Sequence, residues 1–441
     1  MSALLYFGWL GIGTVLVLLL LTFRTRGANL LFFTGILFVS GLATQMTPSD
    51  TVEQTFWMGI QTRRSDLFLA FGALGTLCLL SQSAKSKSLD LSIASLLYFM
   101  SLLYAAFIRG YHEGFVSLFE GTVFCIFTVA PLCIWSVNYA QLPKHLSNIQ
   151  RAILFVNVLT ILFIAVQFVQ DSSALTMDAG GGQSRFRGLL SNPQHAGAQF
   201  ALLGASCLWV MIHDKARYFS LALGTLAVDV VLILWTGSRT SLAMLAIAGG
   251  AIAYPRLGRQ AIYAPLFAAL GFGIYSVLTS KLGVDINAER LSVGGNTRSE
   301  AWRQLIREGL SSPIFGVGVE NSLKSENGWL YGFATGGLGM LALLSLWTFA
   351  VIREILILVR RRNQIAPALK PTVYYCIGIL LAYFGGAVFE GYFISRVSTP
   401  LCIVLLALTL SLMLRKTSST RVAPRGSLMK EFPNADYGTS P

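Results

Sequence analysis

Charge is scarce in this chain of 441 residues: only 12% are Asp, Glu, Lys or Arg, where a soluble domain carries about 25%. Set against 54% hydrophobic residues, that scarcity excludes a soluble fold. Cysteine is thin as well. Cys78, Cys125, Cys133, Cys207, Cys376 and Cys402 all fall inside apolar stretches without a CxxC pair, so neither a disulfide framework nor a zinc finger is expected, and each reads as a small buried hydrophobe. Histidine is limited to His112, His145, His195 and His213, which do not cluster, and DxD and HExxH are missing; a metal-dependent reaction has no visible ligands, and no cofactor is expected. Walker A, GxGxxG and GxSxG motifs are missing too, which removes the usual nucleotide-binding and serine-hydrolase readings. No fixed-period repeat is present, so a solenoid is excluded.

What the chain has in plenty is apolar runs. A ~30 Å hydrocarbon core takes about 20 apolar residues per helix, and runs of that order lie near 3–23, 28–45, 66–83, 91–109, 115–136, 152–170, 193–212, 218–236, 240–254, 261–279, 328–352, 371–389 and 397–414. The expected fold is an all-α polytopic membrane protein with about 12–13 transmembrane helices. The first run lacks a basic leader and a small-residue cleavage site and reads as a retained helix. Net charge is +13, which in a soluble protein would suggest nucleic acid; here the cations fall between the runs, so no nucleic-acid partner is expected. Alternate connections hold Arg24 and Arg26, Lys85 and Lys87, Lys144 and Arg151, Lys215 and Arg217, Arg256 and Arg259, then Arg353, Arg360, Arg361, Arg362 and Lys370, and the tail continues with Arg415, Lys416, Arg421 and Arg425. The positive-inside rule makes these cytoplasmic. With thirteen spans the N-terminus is outside; with twelve it is inside and the later loops keep their sides. The domain reading is one membrane unit over 1–414 and a disordered cytoplasmic tail over 415–441, polar and rich in Ser, Pro and Gly.

Two external loops are long, one near 171–192 and one near 280–327. Arginine on a translocated side costs insertion free energy, so Arg185, Arg187, Arg239, Arg290, Arg298, Arg303 and Arg307 ask for a reason. For any one of them a solvated pair with a nearby acid suffices. Together, planar guanidinium groups that chelate phosphate oxygens suggest a site for a diphosphate at the end of a lipid. In the larger loop, Thr297, Arg298, Ser299 and Glu300 form a capping box, followed by Ala301, Trp302, Leu305, Ile306 and Leu310 at helical spacing and a stop at Gly309, an amphipathic helix with Arg303 and Arg307 on one face. The Gly-rich turn SSPIFGVGVEN follows, and then SENGWLYGFATGGLG, whose small residues favour close helix packing. Glu326 stands where loop meets span, either as a general base with a raised pKa or as a helix N-terminal acid beside Asn327. Glu390 and Arg396 bracket another outer turn and either pair together or reach the same cavity. His195 begins a helix after Pro193 and is either an end-of-helix histidine or a substrate contact. Glu120 and Asp229 lie within apolar runs, where structural hydrogen bonding to neighbouring helices and a functional role are both open.

At these residues the chain resembles the O-antigen ligase / Wzy polymerase superfamily of bacterial envelope glycosyltransferases. RFRGLLSNPQHAG is similar to the family's R-x-x-G-x-x-x-N-P-N pattern, WTGSRTSLAML to its T-x-S-R-x-x junction, and the stretch from Asn296 to Gly339 to its long-loop signature, R-x-x-x-W, P-x-x-G-x-G, H-N-x-x-L and G-x-x-G. The chain departs from it in having Glu326 where the family often has His, and Gln194 at the second Asn of N-P-N. The resemblance implies a GT-C-like membrane enzyme of the inner membrane with a core over about 150–414 and a periplasmic catalytic loop over about 280–327. It implies a metal-independent, inverting polymerase of undecaprenyl-diphosphate-linked oligosaccharide repeat units for exopolysaccharide, capsule or O-antigen. The alternatives are a ligase that moves the glycan to lipid A core or protein, and, from another class, a transporter or flippase. By the resemblance, Arg185, Arg239 and Arg298 fall on the family's diphosphate-binding arginines and Glu326 on its base position, while Arg187 has no fixed counterpart. With the residues read above, the candidate catalytic set is Glu326, Arg298 and Arg239, and the candidate contacts to diphosphate or glycan are Arg185, Arg187, Arg303, Asn327, His195, Glu390 and Arg396. The implied partners are the lipid-linked glycan, the bilayer, and assembly proteins such as a flippase and a chain-length regulator.

Overall fold

The structure, a computed structural model, describes residues 28–41, 64–86, 90–135, 142–170, 172–178, 184–190, 192–213, 218–258, 298–322, 326–393 and 398–420. Of these residues 85% are helical. In chain order the elements are α1 (Ala28–Ser40), α2 (Arg64–Ser86), β1 (Asp90–Leu91), α3 (Ile93–Glu113), α4 (Phe115–Phe124), β2 (Ile134–Trp135), α5 (Leu142–Gln170), β3 (Thr176–Asp178), β4 (Ser184–Phe186), α6 (Pro193–His213), α7 (Phe219–Thr236), α8 (Arg239–Leu257), α9 (Arg298–Ser311), α10 (Gly328–Arg361), α11 (Lys370–Ala387) and α12 (Thr399–Thr420). Among the described residues, strands are confined to two short antiparallel pairs, β1 with β2 and β3 with β4. Eight described helices, α3, α5, α6, α7, α8, α10, α11 and α12, are long and apolar enough to cross a membrane, which makes this a multi-pass all-α membrane protein.

The expected runs at 3–23 and 261–279, the capping residue Thr297, and Arg290 and Arg396 lie outside the described residues. Where runs and helices are both described, several bounds differ for physical reasons. The run 115–136 is helical without interruption over 115–133 but not regular: α4 passes into a π-turn at Cys125–Val129 and a last helical turn at Ala130–Cys133, and the run ends in β2. Pro131 brings no N–H to the ladder, which opens it by one residue. α5 starts at Leu142 rather than near 152, because Leu142, Leu146 and Ile149 carry the buried face through a polar stretch. α9 does not stop at Gly309 but runs to Ser311; that glycine lies against the ring of Phe333, where a Cβ has no room. On α9, Ala301 and Leu305 are buried as the spacing predicts, whereas Ile306 and Leu310 are exposed. Glu120 is exposed on α4, a helix that buries none of its residues, so it is not an interior group of the bundle.

α6 and α12 form the centre: 83% of the apolar window of each is buried, against 33% for α7 and 28% for α8. Small residues on α6 allow this. A Cβ on Gly197 would strike Ser241 of α8, and one on Gly204 would press on Leu226 and Asp229 of α7. Trp209 stacks on Tyr375 of α11 at 4.0 Å between ring centroids. In the interior, Asn157 of α5 donates to Asp229 Oδ2 at 2.7 Å, and the Cys207 sulfur lies 3.3 Å from Thr225 Oγ1, so Asp229 serves as the acceptor in a bond that ties α5 to α7.

Because α6, α7 and α8 alternate in direction, Pro193, Thr236 and Arg239 share one end of the bundle, and His213 and Leu257 the other. Glu354 and Arg415 clamp α10 to α12 with two contacts of 2.6 and 2.7 Å towards that other end, where Arg256 also donates to the Ile212 carbonyl at 2.8 Å.

Candidate functional site

Several local motifs build the first end. Asn192 accepts the Gln194 N–H at 2.8 Å and precedes Pro193, an Asn cap with proline at the first helical position, so the N-P pair is spent on starting α6. α7 ends at Gly237 in the left-handed region (φ 62°), and Ser238 then caps α8 through its hydroxyl. That tight junction sets the Thr236 carbonyl and Thr240 hydroxyl side by side at the bundle end.

The other half comes from the 298–337 segment. α10 is broken at Gly337 (φ 68°, ψ −163°), and the loop after α9 docks into the break. Val317 and Gly318 donate to the carbonyls of Ala334 and Thr335 at 2.8 and 3.2 Å, and Leu338 donates to Pro313 at 2.8 Å. Gly316 (φ 68°) and Gly337 touch backbone across this junction, where any Cβ would overlap a carbonyl. Asn327 holds the start of α10: Oδ1 accepts from the N–H groups of Trp329 and Leu330 at 3.1 and 3.0 Å, and Nδ2 donates to the Val388 carbonyl at 2.9 Å. Its side chain ties Glu326 to the turn that follows α11.

At that turn the two halves meet. Arg298, the first residue of α9, donates Nη2 to Glu390 Oε1 at 2.8 Å and to Thr240 Oγ1 at 3.3 Å, and Nη1 to the Phe389 carbonyl at 3.2 Å, with its guanidinium 5.0 Å from the Phe389 ring centroid. Glu390 is 2% exposed. Burial pushes its carboxyl up to about 7 against the pull of Arg298, with Glu326 raising it further and Arg185 lowering it. Those influences bring Arg185, Arg298, Glu326 and Glu390 into one electrostatic cluster. Arg185, on β4 opposite Met177, donates Nε to the Thr236 carbonyl at 2.8 Å. Arg187 follows on the same segment and is half-buried, and burial lowers its pKa.

Two polar atoms in this cluster are buried without a hydrogen-bond partner among the described residues: Glu326 Oε2 and the hydroxyl of Tyr392. The Tyr392 ring packs edge-on to His195 at 5.4 Å, and burial, with Glu390 next, drives its phenol well above 10. The unpaired carboxylate oxygen calls for a hydrogen-bond donor, whereas the two guanidinium ions favour an anion, so the cluster suits a polar occupant that carries both. Arg239 is exposed at the first turn of α8, next to the Thr240 that receives Arg298, and Arg303 with Arg307 point away on the exposed face of α9. Thr240, Tyr392 and the Phe389 carbonyl escape a reading of the sequence because nothing local marks them; Thr240 and the Phe389 carbonyl meet Arg298 from 58 and 91 residues away along the chain, and Tyr392 meets His195 of α6. No family model matches the chain, and no curated protein matches its sequence.

Proposed function

We propose that this protein is a glycosyltransferase of the bacterial inner membrane that polymerises undecaprenyl-diphosphate-linked oligosaccharide repeat units, with a GT-C-like arrangement and its site on the periplasmic side. The observation that carries this reading is the convergence of Arg298, Arg185 and Glu326 from three separate segments at one bundle end, with buried polar atoms left unpaired between them. The opposite end supports the orientation, since Arg256, Arg353, Arg360, Arg361, Arg362, Lys370 and Arg415 belong to it and the positive-inside rule makes it cytoplasmic.

In this mechanism an acceptor sugar hydroxyl gives its proton to Glu326 Oε2 as its oxygen attacks the anomeric carbon of the donor glycan. The C1–O bond to the diphosphate breaks, and a single displacement inverts C1. Arg298 and Arg185 take the negative charge that grows on the leaving undecaprenyl diphosphate, and preorganised donors of this kind are worth roughly 3–4 kcal/mol each in a transition state. A ligase would run the same chemistry with another acceptor.

The test is polymerisation by purified protein supplied with undecaprenyl-diphosphate repeat units, comparing wild type with Arg298→Ala and Glu326→Gln at matched folding. A glycan ladder that is lost in both variants, by at least about a hundredfold in rate, is expected. A ladder that persists in Glu326→Gln overturns the base assignment, and no ladder from folded wild type redirects the reading to a ligase and an acceptor screen.

A further inference from the structure

The Arg298–Glu390 ion pair poses a problem for an anion site. The guanidinium that would receive a diphosphate has its Nη1 and Nη2 donors engaged, on Glu390, Thr240 and the Phe389 carbonyl, and its chief partner is a carboxylate that would itself repel the diphosphate. Glu390 is 2% exposed and Arg298 27% exposed, so the arginine is the half of the pair that can turn outward. Left behind as an anion, Glu390 would be a buried charge next to Glu326, an arrangement that costs far more than a neutral carboxyl.

We propose that Glu390 is a positioning residue that holds Arg298 in place in the empty site and releases it to a bound diphosphate by taking up one proton from solvent. The inference rests on the diphosphate-site reading above and deepens it. In the empty site the carboxylate accepts from Nη2 of Arg298. When a diphosphate arrives, its oxygens replace Glu390 on Arg298, and a proton on the Glu390 carboxyl replaces the lost cation, so the charge buried at that point stays balanced. The neighbours are consistent with such an exchange. Glu326, just before α10, disfavours an ionised Glu390 once Arg298 has moved; Arg185, on β4, favours the ionised form more weakly than Arg298 does and is a second cation available to the incoming anion. Tyr392, in the same turn, is a phenol raised by burial and stays neutral, and the Tyr383 hydroxyl of α11 is engaged on the Tyr392 carbonyl at 3.2 Å. His195, on α6, packs edge-on to Tyr392 and is the imidazole next to this turn among the described residues. The carboxyl of Glu390 is poised near 7, where a proton is readily exchanged.

The sign follows directly. Above about 7 the free site holds Glu390 ionised and paired, so binding must import a proton and weakens as pH rises; below it, Glu390 is already neutral and the affinity levels off. The experiment is calorimetric titration of the purified full chain in detergent with P1,P2-dimethyl diphosphate, a diester whose own charge is constant in this range, in buffers of different ionisation heat. The expected result is uptake approaching one proton per anion at about pH 8, with wild-type affinity about tenfold weaker there than at about pH 6. Glu390→Gln is expected to bind without proton uptake and with a flat profile, while Thr240→Val, which removes a neutral partner of Arg298, keeps the wild-type slope. A wild type that binds the diester with no proton uptake overturns the exchange and leaves the diphosphate site standing. A slope that survives in Glu390→Gln but vanishes in His195→Asn also overturns it. A folded wild type that binds no diester at any pH overturns the diphosphate site itself, and the exchange with it. The proton count on wild type stands alone should Glu390→Gln fold poorly.

Discussion

Residue scale. Tyr392 shows how a single buried atom can be probed by substitution. Its hydroxyl has no hydrogen-bond partner among the described residues although the ring is 4% exposed. An unsatisfied buried hydroxyl costs about 1–3 kcal/mol, so Tyr392→Phe is expected to stabilise the empty protein by about 1 kcal/mol, seen as a higher midpoint in detergent thermal melting. A lower midpoint would mean that the hydroxyl is hydrogen-bonded in the folded protein. At this scale the sequence names candidate residues and the structure gives the contacts each of them makes. Arg298 and Glu326 were legible because a cation in the first turn of a helix and an acid where loop meets span are local signals. Asn327 was legible as a polar residue, but its two bonds to Trp329 and Leu330 and its third to Val388 are structural work. Glu390 was legible as an outer acid; that it grips an arginine 92 residues earlier in the chain was not.

Element scale. The glycines around Gly316 and Gly337 read from the sequence as a flexible turn followed by a tightly packing helix. In the structure they are one joint, in which a broken helix gives up carbonyls to the N–H groups of the loop that precedes it. The joint matters because it fixes α9, and with it Arg298, against α10, and with it Glu326. Gly337 has a positive φ at an extended ψ, a region essentially reserved for glycine, and its missing Cβ is replaced by the Ile314 carbonyl. Gly337→Ala is therefore expected to cost about 2–4 kcal/mol in unfolding free energy and to reduce turnover, while Gly224→Ala, on an open face of α7 with nothing within 4 Å of the new methyl, changes neither. Equal behaviour of the two variants in thermal melting would show that the joint is not stiff. The run 115–136 makes the complementary point: hydropathy counts apolar residues and does not see that Pro131 withholds a donor, so the expected span carries a π-turn within its helix and ends in a short strand.

Whole-molecule scale. The two ends of the bundle differ in charge chemistry: one gathers Arg185, Arg298, Glu326 and Glu390, the other bears the run Arg360, Arg361 and Arg362 and the Glu354–Arg415 clamp. If the second end faces the cytoplasm, a membrane-impermeant maleimide applied to intact cells labels Arg187→Cys and spares Arg362→Cys until the cells are opened. The six native thiols are buried and give little background. The reverse pattern would invert the topology and remove the site from the outer face. Sequence alone determined that the chain is a bundle of membrane helices, where most of them run, and which loops carry the cations, because hydrophobic length and charge asymmetry are properties of contiguous residues and are paid out at the membrane before any helix meets another. Tertiary structure alone decided which helices are central, where helices break, and which arginine meets which carboxylate. Those outcomes depend on contacts between segments far apart in the chain, and on the few places, such as Gly197, Gly309 and Gly337, where a missing methyl group lets two backbones or a ring and a backbone come close enough to bring the site together.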